Sequence, residues 1–351
     1  MKASHGLCLF LLGNSILLSA QQAAPRNPAS SSPLITLDVV VTNKAGIPQA
    51  GLQQQDFTLL DNKTPQKIVS FHAVDDSAAA TSPVEIILFM DTVNATVQTV
   101  SDERLQVQKY LRQNDGKLNH LTSVVVFADS GLKNLGEPTR DGNALSANLD
   151  QSNVIGLRTI HRAAGAYGGA ERLTSSLRNL YSIAAFEANK PGRKILIWIS
   201  PGWPVSGTSM YSEINDQLFS SLVLVSTALR QARITLYSID PEGAGGSVRG
   251  KFSYESYLKG VPAAKDVVSA NLSLQVLATR SGGKVLTTGN NIGDQIDDCI
   301  ADTKAFYVLS FESIPTERQD EYHNLDLKVD KPGLTVRTSA GYYAYATERP
   351  K

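Results

Sequence analysis

The chain has 351 residues, enough for one large domain and a smaller one. Lys+Arg and Asp+Glu each number 33, so the formal net charge is zero. That balance argues against a nucleic-acid groove and against an anionic membrane surface as partner. Charged residues make up 19% and apolar residues 42%, the proportions of a globular protein.

The first residues read as a targeting segment. Lys2 gives a basic start, Leu7 to Leu18 is an apolar run, and Leu18-Ser19-Ala20 precedes Gln21-Gln22. This pattern predicts a secretory signal peptide over 1–20, cut near Ala20, with a retained N-terminal anchor as the alternative. The run is short for a membrane span, and no later segment reaches 18 consecutive apolar residues. The expectation is a secreted or periplasmic protein with no membrane span in the mature chain. Of two cysteines, Cys8 falls in the leader, which leaves Cys299 without an internal disulfide partner. Ile292, Ile296, Cys299 and Ile300 share a helical face, so Cys299 is expected as a small buried apolar residue.

Residues 21–33, rich in Gln, Ala, Pro and Ser, read as a disordered linker. Over 34–74 the pattern is β only. Ile35, Leu37, Val39 and Val41 alternate with polar residues, and Asn43-Lys44-Ala45-Gly46 signals a turn. Short strands at 57–60 and 67–71 follow. This piece is too small to build a good core alone. Residues 75–82 are linker-like.

The pattern then changes. Ile86–Met90 is an apolar strand ending on Asp91, and Val100, Val107 and Leu111 mark a helix. A strand at 123–127 comes next, then a helix with the stripe Leu173, Leu177, Leu180 and Ala184. Lys194–Ile199 is a strand of nearly unbroken apolar character. Ile214, Leu218, Leu222, Val225 and Leu229 predict a long helix before the strand Ile234–Ile239. Leu274, Leu277 and Ala278 belong to a helix closed by Gly282-Gly283, and 284–287 is a short strand. Apolar strands alternating with helices imply a doubly wound, mostly parallel α/β sheet over 83–303, covered on both faces. Such sheets place ligands at the carboxyl ends of their strands, where Asp91, Asp129 and Asp240 fall. Residues 304–346 return to β, with strands at 306–311, 325–329 and 334–337. The simplest arrangement pairs the first and last segments in a small antiparallel β-sandwich that flanks the α/β domain or holds it as an insertion.

Several segments carry a family resemblance. They are Gly51-Leu52-Gln53-Gln54-Gln55-Asp56-Phe57 with Ile68-Val69-Ser70-Phe71, the run from Arg193 to Trp203, Tyr237-Ser238-Ile239-Asp240-Pro241, Phe306-Tyr307-Val308-Leu309 and Gly341-Tyr342-Tyr343. In that order, over about residues 35–345, they resemble the acidobacterial VWFA-related family of von Willebrand factor A-type domains. The resemblance implies an A-like, Rossmann-type fold and a location outside the cytoplasm. A-type domains carry a metal-ion-dependent adhesion site on three loops, members of the family vary in how much of it they keep, and this chain resembles the depleted kind.

Magnesium needs several oxygen ligands in near-octahedral geometry. The family's first loop, D-x-S-x-S, corresponds here to Asp91-Thr92-Val93-Asn94-Ala95, with Val93 and Ala95 where hydroxyls would stand. The second loop corresponds to Gly168-Gly169-Ala170-Glu171-Arg172, with Ala170 at the threonine position. The third corresponds to Ile199-Ser200-Pro201-Gly202-Trp203, with Pro201 at the aspartate position. Four of the five side-chain ligands are thus replaced. The preferred reading of Asp91 is a carboxylate bonded to loop N–H groups or capping the next helix. The alternative is a weak, shifted magnesium site of Asp91, Asn94 and Thr96. Asp240 reads as a turn aspartate, and Trp203 either packs over its own loop or anchors a partner.

Enzyme signatures are missing from the sequence: there is no G-x-S-x-G, no H-E-x-x-H and no phosphate-binding G-x-x-x-x-G-K-[ST]. His72, His120, His161 and His323 are scattered. Gly243-Ala244-Gly245-Gly246 reads as a mobile loop, and Asp297, Asp298 and Asp302 as a solvated helix face. The expectation is a non-enzymatic protein-binding module with no cofactor. Its partner face would include Asp91, Asn94, Glu171, Pro201, Trp203 and Asp240. A magnesium-dependent adhesion domain and a hydrolase using Asp91 and Asp240 are the alternatives.

Overall fold

The computed structural model describes residues 33–75, 83–152, 166–205, 212–243, 253–287, 289, 291–314, 316 and 318–344. The expected leader at 1–20, most of the two linkers, His161 and the glycine-rich loop beyond Gly243 lie outside them. Among the described residues no helix is long and apolar enough to cross a membrane.

The centre is a seven-stranded, mostly parallel sheet. Its order is β11 (Val285–Leu286), β10 (Ile234–Ile239), β9 (Arg193–Ile199), β5 (Val84–Asp91), β6 (Lys117–Ala128) and β7 (Gly131–Asn134). A short β8 (Thr139–Asp141) also pairs with β6, and β7 and β8 both run antiparallel to it. Ile86 to Met90 are buried along their whole length, as a strand covered on both faces must be.

Side-chain alternation sends successive residues to opposite faces. Phe89, Trp198 and Leu236 pack with Leu173, Leu177 and Leu180 of α3 (Ala166–Glu187), with Leu222 and Leu229 of α4 (Ser212–Gln231) and with Leu277 of α5 (Leu274–Arg280). Leu88, Met90, Ile197 and Ile199 pack on the other side. There they meet Val107 and Leu111 of α1 (Val97–Leu111), Leu145 and Leu149 of α2 (Gly142–Gln151), and Ile296 and Cys299 of α6 (Ile292–Ile300). Cys299 is fully buried, and that burial pushes its thiol pKa well up.

From β5 the chain winds one way to β6 and then returns to the other side for β9, β10 and β11. The reversal therefore lies between the carboxyl ends of β5 and β9. In open α/β sheets that crevice is where ligands bind.

Two four-stranded antiparallel sheets complete the fold. One is ordered β14 (Thr335–Arg337), β1 (Leu34–Thr42), β12 (Ala305–Glu312) and β4 (Ile68–Asp75). The other is ordered β15 (Gly341–Ala344), β13 (Glu321–Val329), β2 (Phe57–Asp61) and β3 (Thr64–Gln66). The first and last segments of the chain do pair, from Leu34↔Glu312 to Val39↔Tyr307. One apolar cluster draws Leu37 and Phe311 from the first sheet and Leu59, Leu327 and Tyr342 from the second.

Asp302 ties these strands to the parallel sheet. It is fully buried and accepts from Arg337 Nη2 at 2.6 Å and Tyr237 Oη at 2.6 Å, with Lys284 Nζ 3.1 Å away. Burial pushes its carboxyl pKa up, but Arg337 and Lys284 outweigh burial and hold it below the usual range. The expectation that Asp302 is part of a solvated face is therefore corrected.

Several elements differ from their sequence reading. β6 begins at Lys117, because Lys117–Leu121 alternates in exposure and reads as polar. The β7 and β8 strands and α2 carry too few apolar residues to signal themselves. β4 runs on to Asp75 as an edge strand with exposed side chains.

Candidate functional site at the winding reversal

Asp91 is the last residue of β5 and is fully buried. Its Oδ1 accepts from the backbone N–H of Val93 and of Asn94, both at 3.0 Å. Its Oδ2 accepts from Asn94 Nδ2 at 2.8 Å and from the indole Nε1 of Trp198 at 3.0 Å. A carboxylate offers about four acceptor positions, and N–H groups fill that number here. Burial raises the Asp91 pKa, opposed by hydrogen bonds from Asn94, Trp198 and Ser200.

The register explains why Trp198 reaches this carboxylate. Phe89 lies opposite Trp198, and Asp91 follows Phe89 on the same face two residues along. The indole is fixed by aromatic contacts. Its ring centroid lies 3.7 Å from that of Phe89 and 5.0 Å from that of Trp203, which meets it edge-on at 72°. The N–H is thus aimed across the reversal, from β9 to the end of β5.

Asn94 extends the network to α3 by donating from Nδ2 to Ser176 Oγ at 3.0 Å. These two donations fix the amide orientation, since the flipped amide would set its oxygen against Asp91. Asn94 Oδ1 is buried with no hydrogen-bond partner among the described residues. Thr96 is committed elsewhere: its side chain caps α1 by accepting from Thr99 N at 3.1 Å. Asp91, Asn94 and Thr96 therefore do not present three converging oxygens, and the arrangement does not fit a magnesium ion.

The segment at Gly168–Arg172 is not a loop. It forms early turns of α3, whose Leu173, Leu177 and Leu180 stripe packs on the sheet. It still meets the third segment, since a Cβ at Gly169 would stand 3.4 Å from the Cβ of Pro204. Glu171 and Pro201 are partly exposed, whereas Trp203 is buried beside Trp198. Asp91 and Trp203 thus lie beneath the edge they were expected to line.

Asp240 follows β10 and accepts from Glu242 N at 2.9 Å, a turn geometry. Burial raises its pKa to about 6; the Glu242 N–H lowers it and the Glu242 charge raises it. Thr99 Oγ1 donates to Glu242 Oε1 at 3.3 Å, which brings the Asp240 turn against α1. Asp129 sits in the turn after β6.

Two buried polar groups escape the sequence reading. Glu103 of α1 is 1% exposed, and neither carboxylate oxygen has a hydrogen-bond partner among the described residues. Burial, with the Asp91 charge adding to it, raises its pKa well up. Its place between Val100 and Val107 on the apolar face was the available signal. The second group is His323, whose Nδ1 lies 2.8 Å from Asp61 Oδ1, while Tyr342 Oη donates to Asp61 Oδ2 at 2.7 Å. His323 is buried, and its Nε2 has no hydrogen-bond partner among the described residues. This dyad lies in the antiparallel core and acts as a polar cross-strand tie. His72 and His120 lie apart from it on β4 and β6.

No protein-family model and no curated protein matches the chain. Solved structures give faint likenesses. The SpRpn10 VWA domain is 10% identical, with 63% of this chain and 97% of that one covered and a TM-score of 0.31. The TFIIH p34 N-terminal domain is 14% identical, covering 57% and 98%, at 0.26. The pilus adhesin RrgA from Streptococcus pneumoniae is 9% identical, covering 52% and 28%, at 0.23. At these TM-scores the matches carry no argument.

Proposed function

We propose that the chain is a non-enzymatic binding module of von Willebrand factor A type, secreted or periplasmic, with no obligatory metal. Its two antiparallel sheets would form a sandwich that carries the α/β domain. The domain would offer a protein partner the partly exposed rim around Asn94, Glu171, Pro201 and Asp240. The observation that carries this reading is the pair of donors on Asp91 Oδ2. Where an adhesion site would place a cation, Trp198 and Asn94 supply N–H groups. The carboxylate then braces the rim from beneath, and recognition falls to the loops and helix starts above it.

Two measurements test it. Magnesium titrated calorimetrically into the purified protein should give no saturable heat. Saturable binding lost in Asp91→Ala would establish the magnesium-dependent alternative. A pull-down from envelope extract, with magnesium or with chelator, should retain the same partner in both. Loss of that partner on chelation would contradict the metal-independent reading.

A further inference from the structure

A cavity lies away from the winding reversal, where α4, α5 and β15 meet. It measures about 50 Å³ and is lined by Ser226 and Arg230 of α4, Arg280 and Ser281 at the end of α5, Ser339, and Tyr343 of β15, among others. About 10–15 Å³ holds one water, so this space suits a few waters or one small ion and excludes a nucleotide or peptide.

Arg230 and Arg280 are the charged residues on its wall, and no carboxylate lines it among the described residues. Each guanidinium is held in place by an aromatic face. Arg280 lies 5.1 Å from the Tyr322 ring centroid and Arg230 lies 6.0 Å from that of Tyr342. Each arginine also sits in the last turn of its helix, where a cation is favoured.

A hydrogen bond to the Tyr343 side chain engages part of the Arg280 guanidinium. Arg280 is 9% exposed, and its Nη1 is buried with no hydrogen-bond partner among the described residues. A buried guanidinium N–H without an acceptor is costly, and a charge-assisted bond to an anion is the strong way to complete it. Two hydroxyls of the wall send their protons elsewhere: Ser281 donates to Ala278 O at 2.8 Å and Ser339 to Gly341 O at 3.0 Å.

We propose that this cavity binds a small oxyanion of the phosphate or sulfate type at the buried Arg280 guanidinium, with Arg230 adding a second positive charge to the wall. The bound ion would join the two helix ends to the C-terminal strand.

The test uses the full chain in thermal unfolding and calorimetry. Sodium phosphate and sodium sulfate are compared with sodium chloride at constant ionic strength. Either oxyanion should raise the Tm saturably, and the arm that saturates at lower concentration identifies the preferred ion. Both ions also stabilise proteins non-specifically by exclusion from the surface. The arginine variants separate the two effects. Arg280→Gln and Arg230→Gln should each weaken the saturable binding at least tenfold. If Arg280→Gln does not fold, the more exposed Arg230→Gln is read alone. A Tm shift of equal size in the wild type and the folded variants, or no saturable binding, would overturn the proposal.

Discussion

Trp198 donates its indole N–H to Asp91 Oδ2 at 3.0 Å, across the boundary between β9 and β5 where the sheet reverses its winding. The bond joins the two strand ends that would otherwise flank an open crevice. It also gives the Asp91 carboxylate a structural partner at a position whose neighbours, Val93 and Ala95, supply no side-chain oxygen.

Trp198→Phe keeps an aromatic ring against Phe89 and Trp203 and deletes the donor. Leaving a buried carboxylate oxygen short of one hydrogen bond should cost about 1–3 kcal/mol. Urea unfolding measures it, with an unchanged m-value expected. A loss within error of zero would mean that the bond does not hold Asp91.

Glu103→Gln should stabilise the protein near neutral pH by about 1–3 kcal/mol, because the amide removes an ionisable group buried without hydrogen-bond partners among the described residues. The folded carboxyl pKa is raised, so the folded chain keeps a proton that the unfolded chain releases above about pH 4.3. Stability from this group therefore falls as pH rises from there through the folded value. The advantage of Glu103→Gln should shrink toward pH 4. Unfolding curves of both proteins across that range check the sign.

Asp302→Asn leaves Arg337 and Lys284 facing each other at the junction of the sheets. A loss of about 3–5 kcal/mol is expected for breaking a buried charge cluster on one side. The folded Asp302 pKa is lowered, so its contribution is present above the unfolded value of about 3.9 and is lost as pH falls through the folded value. Wild type and variant should converge in stability under acid, which denaturation at several pH values would reveal.

Much of the parallel sheet was legible because its strands are apolar throughout. Ile86–Met90, Lys194–Ile199 and Ile234–Ile239 all fall within the strands observed. The amino half of β6 was not, since its residues alternate in exposure at the sheet margin. Gly168-Gly169 read as a loop because glycine is a poor helix former, and packing of the Leu173 stripe overrides that preference. Asp91 could be singled out from its strand, but its partner could not. Trp198 is 107 residues away, and only the pairing of β5 with β9 brings the indole to the carboxylate.

Gly202 follows Pro201 with φ +107°, and a Cβ there would stand 2.7 Å from Gln275 Nε2. Gly202→Ala should cost about 1–2 kcal/mol through left-handed strain alone. It should also displace the turn that seats Trp203. Tryptophan fluorescence should report that displacement, and an unchanged spectrum and stability would show that the turn tolerates a side chain.

The most direct test of the Asp91 network is the Trp198 indole N–H resonance, assigned by its loss in Trp198→Phe. It should be protected from hydrogen exchange and should stay at one position in millimolar magnesium and in chelator. Rapid exchange, or a saturable shift on adding magnesium, would contradict the account by showing that a cation competes for Asp91.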